Sequence, residues 1–249
     1  MWEENKRGGG VDQLMPERRA FTHVAFDLDH TLTYYPLTTA GVIEATFGRL
    51  GLSLEPFGPA ASVAARYDAL WIALERQARM SDELRLMVWR RLATEKGLAA
   101  DGLAEKIALE YGRVRRESGV RLFDGVRELL SDLRSAGYRL GLLTNGLSDS
   151  QWDKIHSLGV EASFAAIVVA GDIGAYKPDA RAFRVLLDRL GADRERALFV
   201  GDSYDTDIVG ASAVGLASAW IRPHGTPRPG AAVPTYEFPS VLDVREVLC

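Results

Sequence analysis

The sequence predicts an α/β protein, a doubly wound parallel sheet with an all-helical block inserted after its first strand. Three observations carry this. A short apolar run, Val24-Ala25-Phe26, reads as a buried strand and ends in two acids, Asp27 and Asp29. From residue 121 onward, short apolar runs alternate with helical patterns roughly ten residues long, as parallel βαβ units do. Between these regions, residues 37–118 keep helical periodicity and lack strand signals.

The inserted block divides into four expected helices. Thr38–Leu50 is ended by Gly51. Pro59–Met80 carries Val63, Tyr67, Leu70, Trp71 and Leu74 at helical spacing. Ser81-Asp82-Glu83-Leu84 opens the third with capping-type chemistry, and Gly97 closes it; Asp101–Ser118 is the fourth. In the region that follows, helices are expected at Gly125–Ala136, Ser148–Leu158, Asp179–Leu190 and Thr206–Val214. Strands are expected at Arg139–Leu143, Ala166–Ala170, Ala197–Val200 and Ala217–Ile221. Five of the ten prolines fall in residues 222–239, which predicts a surface loop around an edge strand at Thr235–Phe238; a last helix covers Val241–Leu248.

With 249 residues, 47% of them hydrophobic, the chain can bury a full core. Its 30 basic and 34 acidic residues are interspersed and leave a net charge of −4, which argues against a nucleic-acid binder. Cys249 is the only cysteine, so neither an intramolecular disulfide nor a cysteine zinc site is possible, and a reducing cytoplasm is the expected location. No apolar stretch approaches the roughly 18–20 residues that span a bilayer. Residues 1–19, polar and containing Gly8-Gly9-Gly10, are expected to be a disordered leader, with Met15 an alternative start to Met1.

Chemistry concentrates where strands end, because ligands of open α/β sheets bind outside the carboxyl ends of the strands. Residues i and i+2 of an extended segment point the same way, so Asp27 and Asp29 can face one site. Two like charges that close call for a cation, and hard oxygen donors suit Mg²⁺. The second strand of the sheet ends in Thr144-Asn145-Gly146. The third leads through a loop to Lys177-Pro178, and the fourth ends in Gly201-Asp202 and runs on to Asp205 and Asp207. Successive tips thus deliver an acid pair, a hydroxyl, a lysine and further acids.

In this order the four segments resemble the four motifs of the haloacid dehalogenase superfamily, over roughly residues 21–36 and 120–221. The helical block is similar in place and character to that superfamily's C1-type cap. The resemblance implies a core of residues 20–36 and 119–249 with a cap at 37–118. It also implies a Mg²⁺-dependent phosphatase acting on a small phosphorylated metabolite.

Phosphoryl transfer needs a nucleophile, neutralised oxygens and a proton for the leaving group. Asp27 can attack phosphorus and form an aspartyl-phosphate, while Asp29 protonates the leaving oxygen and later deprotonates water. By resemblance, Mg²⁺ is held by the Asp27 carboxylate, the Asp29 backbone carbonyl and Asp202, with Asp207 at the metal's edge. Thr144 and Asn145 bind the phosphoryl group, and Lys177 offsets its charge. Asp205 falls short of the motif spacing and is expected to be solvated or capping. His30 is a spectator at the entrance, and His23, His156 and His224 are too scattered for a metal site.

In the helical block, Tyr67, Trp71 and Trp89 are expected to pack as core. Arg66, Arg76, Arg79, Arg85, Arg90 and Arg91 make the block basic, and one or two of them can meet an anionic substrate. Three rival functions stand against this one: a β-phosphoglucomutase-type phosphomutase, which would share all four motifs, a 2-haloacid dehalogenase and a catalytically degenerate scaffold. The family's dehalogenases lack the acid that Asp29 supplies, and a degenerate core would lack at least one of the residues present here. Oligomeric state is not legible in the sequence.

Overall fold

The computed structural model describes residues 20–98, 102–222 and 229–248. The expected leader over 1–19, Met15, Asp101, Pro223, His224, Pro227 and Cys249 lie outside them. In chain order the strands are β1 (His23–Phe26), β2 (Thr33–Tyr34), β3 (Arg121–Leu122), β4 (Arg139–Thr144), β5 (Ala166–Val169), β6 (Ala197–Gly201), β7 (Ala217–Ile221) and β8 (Tyr236–Phe238). The helices are α1 (Thr39–Leu50), α2 (Ala60–Leu74), α3 (Ser81–Glu95), α4 (Leu103–Ser118), α5 (Val126–Ser135), α6 (Ser148–Leu158), α7 (Ala170–Ile173), α8 (Ala180–Leu190), α9 (Val209–Ala213) and α10 (Arg245–Leu248).

Six strands form one parallel sheet in the order β5-β4-β1-β6-β7-β8. The order reverses at β1, which lies between β4 and β6, so the crevice of this sheet opens at the end of β1. Strand alternation then builds two apolar layers. Val24 and Phe26 pack with Leu129, Leu133 and Val244 on one face. Ala25 packs on the other with Phe183, Leu186 and Leu190 of α8. Gly141 lets α8 come this close, because a Cβ there would lie 2.7 Å from a Leu190 methyl.

The helical block has an apolar core of its own, with Trp89 at its centre among Phe47, Phe57, Tyr67 and Tyr111. Leu147, from the loop after β4, plugs into that core. A two-stranded ribbon of β2 and β3, which the helical pattern of the sequence hid, pairs the chain entering the block with the chain leaving it.

Three expectations need correction. The helix expected over Pro59–Met80 ends at Leu74; one tight turn follows over Glu75–Gln77, and Ala78 and Met80 are extended. No proline or glycine breaks it. The break carries Arg76 over the Tyr176 ring, at 5.3 Å, so tertiary docking overrides local propensity. Ser81 does not cap α3: its N–H and hydroxyl instead donate to Asp149 of α6, at 2.9 and 2.7 Å, and a carboxylate from outside the block thus sits at this helix N-terminus. The helix expected over Thr206–Val214 begins earlier, as a wide turn over Tyr204–Ile208 that continues into α9.

Candidate active site

The ends of β1, β4 and β6 converge. Asp27 follows β1 immediately, and its N–H donates to Val200 O at 2.9 Å, so it sits flush with the tip of β6. The chain then turns sharply: His30 takes φ 65°, and its N–H donates to Thr33 O. This turn sets the two acids apart. The alternation that would aim both carboxylates at one point holds only within a strand, and β1 ends at Phe26.

Asp27 therefore gathers with Asp202 and Asp207 rather than with the Asp29 carboxylate. One carboxylate oxygen from each lies within 4.8 Å of the others. Thr31 ties the group together, donating to Asp27 Oδ2 at 3.2 Å and to Asp202 Oδ1 at 3.0 Å, and accepting from the Asp202 N–H. Lys177 bridges the other side, with Nζ 2.5 Å from Asp27 Oδ1 and 2.7 Å from Asp207 Oδ1. Burial pushes the Asp27 carboxyl up to about 6 against the pull of Lys177. Burial, together with the charge of Asp27, also pushes Asp202 up to about 6. Burial lowers the tendency of Lys177 to stay charged, but Asp207 and Asp27 outweigh it and raise its pKa.

Three hard carboxylates, Asp27 and Asp207 buried and Asp202 half-buried, with only the Lys177 ammonium among them in the described residues, form a donor set that suits a divalent cation of the Mg²⁺ type. Asp205 is exposed and stands apart from this group.

Asp29 faces the other way. Its Oδ2 lies 2.6 Å from Lys154 Nζ and accepts from Gln151 Nε2 at 3.3 Å, while Oδ1 accepts from the Tyr35 hydroxyl at 2.8 Å. Burial works to raise its pKa, but Lys154 and these hydrogen bonds outweigh it and hold the carboxyl below the ordinary range. Gln151 also accepts the Thr144 hydroxyl at 3.1 Å, so one amide joins Thr144 to Asp29. Gly146 leaves room for that amide; a Cβ there would lie 2.4 Å from Gln151 Nε2.

The Asn145 side chain, expected at the phosphoryl group, is engaged elsewhere. It clasps the backbone of Lys177, donating to its carbonyl and accepting from its N–H. Sequence reasoning missed Tyr35, Gln151 and Lys154. The signal was the i, i+3 spacing of Gln151 and Lys154 on a helix that starts just beyond Thr144-Asn145-Gly146.

A cavity of about 930 Å³ extends from this point to the helical block. Asp29, Asn145, Lys177 and Thr206 line its inner end, His30 and Tyr35 its side, and Tyr67, Trp71 and Tyr111 the wall from the block. Of the aromatics expected to be core, Trp89 is only that, whereas Tyr67 and Trp71 both pack and line the cavity. Of the arginines, Arg76 and Arg85 line it, while Arg66 and Arg91 pair with Glu95, and Arg90 with Glu105.

A haloacid dehalogenase-like hydrolase family profile matches residues 21–215. The HAD-hydrolase YfnB of Bacillus subtilis is 28% identical over 92% of this chain and 96% of its own. Its magnesium-bound crystal structure superposes with a TM-score of 0.73 at 27% identity, covering 93% of this chain and 99% of that one. The phosphoserine phosphatase of Thermus thermophilus is 31% identical over 82% of this chain and 85% of its own, and the human N-acylneuraminate-9-phosphatase is 34% identical over 67% and 68%. No helix among the described residues is long and apolar enough to cross a membrane. With the acid group and the threonine at the ends of the three central strands, the lysine brought to them by the loop between α7 and α8, and a profile match across most of the chain, this protein belongs to the haloacid dehalogenase-like hydrolase family.

Proposed function

We propose that this chain hydrolyses the phosphomonoester of a small metabolite, with Mg²⁺ as cofactor and Asp27 as nucleophile. The enzyme is a haloacid dehalogenase-type phosphomonoester hydrolase, as its family and its phosphatase relatives support. The observation that carries the finer reading is the group of Asp27, Asp202 and Asp207 around Lys177. A dehalogenase reaction at carbon has no use for that many acids gathered at the ends of β1 and β6, whereas a phosphoryl group and its metal do.

Asp27, Asp202 and the Asp29 backbone carbonyl would hold the ion, with Asp207 at its edge. When bound, Mg²⁺ neutralises phosphoryl oxygens and the acids that face them. Asp27 attacks phosphorus, the P–O bond to the leaving group breaks, and an aspartyl-phosphate forms. Lys177, anchored by Asn145, offsets the charge gathered on the phosphoryl oxygens. Thr144 turns its hydroxyl from Gln151 to one of those oxygens. Asp29, set by Tyr35, Gln151 and Lys154, takes the proton that the phosphomonoester monoanion brings, passes it to the leaving oxygen, and then takes one from the water that cleaves the acyl phosphate. The helical block, roughly residues 37–118, serves as a cap that closes the cavity against bulk water and carries specificity.

The test is p-nitrophenyl phosphate turnover with Mg²⁺, with EDTA, and with Asp27→Asn. Metal-dependent release of phosphate that EDTA and the variant both abolish is expected. Turnover that survives in a folded Asp27→Asn protein would remove Asp27 from its role. Turnover indifferent to EDTA would remove the metal.

A further inference from the structure

Arg85 of α3 is one of the most deeply buried charges in the helical block, with 6% of its surface exposed. One Nη of its guanidinium donates to Asp82, whose carboxylate is 72% exposed and is shared with Arg116 at 3.3 Å. Its Nε–H is buried and has no hydrogen-bond partner. An unmet buried donor on a charged group is unfavourable, and Arg85 lines the cavity that leads to the acid group.

The local backbone makes room for this charge. Gly112 sits in the middle of α4, where glycine is unfavourable relative to alanine. A Cβ at Gly112 would lie 3.0 Å from Arg85 Nη1 and 3.3 Å from Arg116 Nη1. Two guanidinium groups thus flank one glycine, with a single, largely solvated carboxylate between them.

The surroundings strengthen the field. Arg115 lies 4.1 Å over the Tyr35 ring on the same cavity wall. The Tyr67 and Tyr111 rings stack on each other, with centroids 4.7 Å apart, and wall the same cavity with low-dielectric surface. Burial pushes up the tyrosine hydroxyls, while the nearby Arg85 and Arg115 charges work against that rise. Two acids of the wall, Asp68 and Glu75, are pushed toward their neutral forms by burial.

We propose that the Arg85–Arg116 corner is an anion subsite, and that the substrate carries a carboxylate at the end remote from its phosphoryl group. This deepens the phosphatase reading and rests on it. A carboxylate fits better than a second phosphate because Asp82 already offsets part of the two guanidinium charges, leaving room for a monoanion. The planar guanidinium groups of Arg85 and Arg116 on the cavity wall are the donors such a ligand takes. The cavity, at about 930 Å³, accommodates a metabolite that reaches from Lys177 to Arg85.

The experiment compares kcat/KM within matched pairs that differ by a carboxylate: O-phosphoserine and O-phosphoethanolamine, 3-phosphoglycerate and glycerol 3-phosphate, 6-phosphogluconate and glucose 6-phosphate. The wild-type enzyme should prefer the carboxylate member of at least one pair by about 10- to 100-fold, the range for a charged hydrogen-bond pair. Arg85→Met should remove that ratio. Arg116→Met, at a side chain 53% exposed and so without a buried gap, should reduce it and covers the case in which Arg85→Met fails to fold. Equal rates within every pair, or a preference that persists in the folded variants, would overturn the subsite. Lack of metal-dependent turnover of p-nitrophenyl phosphate by the wild-type enzyme would instead overturn the phosphatase reading beneath it.

Discussion

Asn145 holds Lys177 by the backbone on both sides of its Cα: its side-chain amide N–H donates to the Lys177 carbonyl at 2.9 Å, and its side-chain carbonyl accepts the Lys177 N–H at 2.8 Å. The clasp joins the tip of β4 to the loop that carries the lysine, and so fixes where the ammonium meets Asp27 and Asp207. Asn145→Ala should lower kcat by about 100-fold, the effect of roughly an ångström of misplacement at a reacting centre. Asn145→Asp, which keeps the acceptor and loses the donor, should lie between. A loss confined to KM, with kcat intact, would show that Asn145 acts on the substrate and not through Lys177.

Lys154 concerns the second half of the reaction. It stabilises Asp29 as a carboxylate, the form that can take a proton from water. With Lys154→Met, burial favours the protonated form of Asp29, which can still serve the leaving group. Hydrolysis of the aspartyl-phosphate should then become limiting. The expected result is a fall in kcat of about 10- to 100-fold, within the range for general base catalysis. The fall should be equal for p-nitrophenyl and alkyl phosphates, with a burst of p-nitrophenol before the steady state. A fall that grows as the leaving group becomes more basic would place Lys154 in the first half instead.

The sheet was legible in the sequence because its strands are short apolar runs with polar tips. β7 and α6 fall where the pattern places them, and most other elements shift by one or two residues. The acids that gather around Lys177 were legible for the same reason, since each follows a strand end in an open sheet. What the sequence hid depends on geometry beyond the strand. The two acids of the first motif look equivalent until the turn at His30 separates them. Asn145 reads as a phosphate ligand until the loop with Lys177 folds against it. Tyr35 and the α6 pair Gln151 and Lys154 come from separate stretches of the chain and gather around Asp29.

Stability should report the strain of the acid group directly. Folding raises the Asp202 carboxyl from 3.8 to about 6, chiefly through burial. A carboxyl raised in this way favours the folded state below its unfolded pKa, and that advantage is lost as the pH rises through the folded value. Above about 6 the folded protein bears the full burden of a buried charge. In EDTA, Asp202→Asn should raise Tm at about pH 7.5, by about 2–4 °C for each kcal/mol relieved in a chain of this size, and the gap should close toward about pH 4.5. Mg²⁺ should raise the wild-type Tm and leave the variant almost unmoved. A variant that melts below the wild type at the higher pH would mean that hydrogen bonding to Thr31 outweighs the charge.

Asp207 tests how the metal's edge is built. It is 1% exposed, 2.7 Å from Lys177, and accepts the Ser203 N–H at 3.0 Å. The last residue of β6, Gly201, admits it, because a Cβ there would lie 2.3 Å from Asp207 Oδ2. Gly201→Ala should therefore behave as Asp207→Ala does, although it removes no acid. In both, kcat should fall because Lys177 loses its second partner, and the Mg²⁺ concentration for half-maximal activity should rise modestly. Asp202→Ala should raise that concentration further, by about 10- to 100-fold, as losses at metal sites commonly do. Asp205→Ala, at an exposed residue, should change neither quantity. Mg²⁺ titrations of the four variants read the order, and a Gly201→Ala enzyme with wild-type metal response and rate would show that the Asp207 carboxylate can move without consequence, which would remove it from the site.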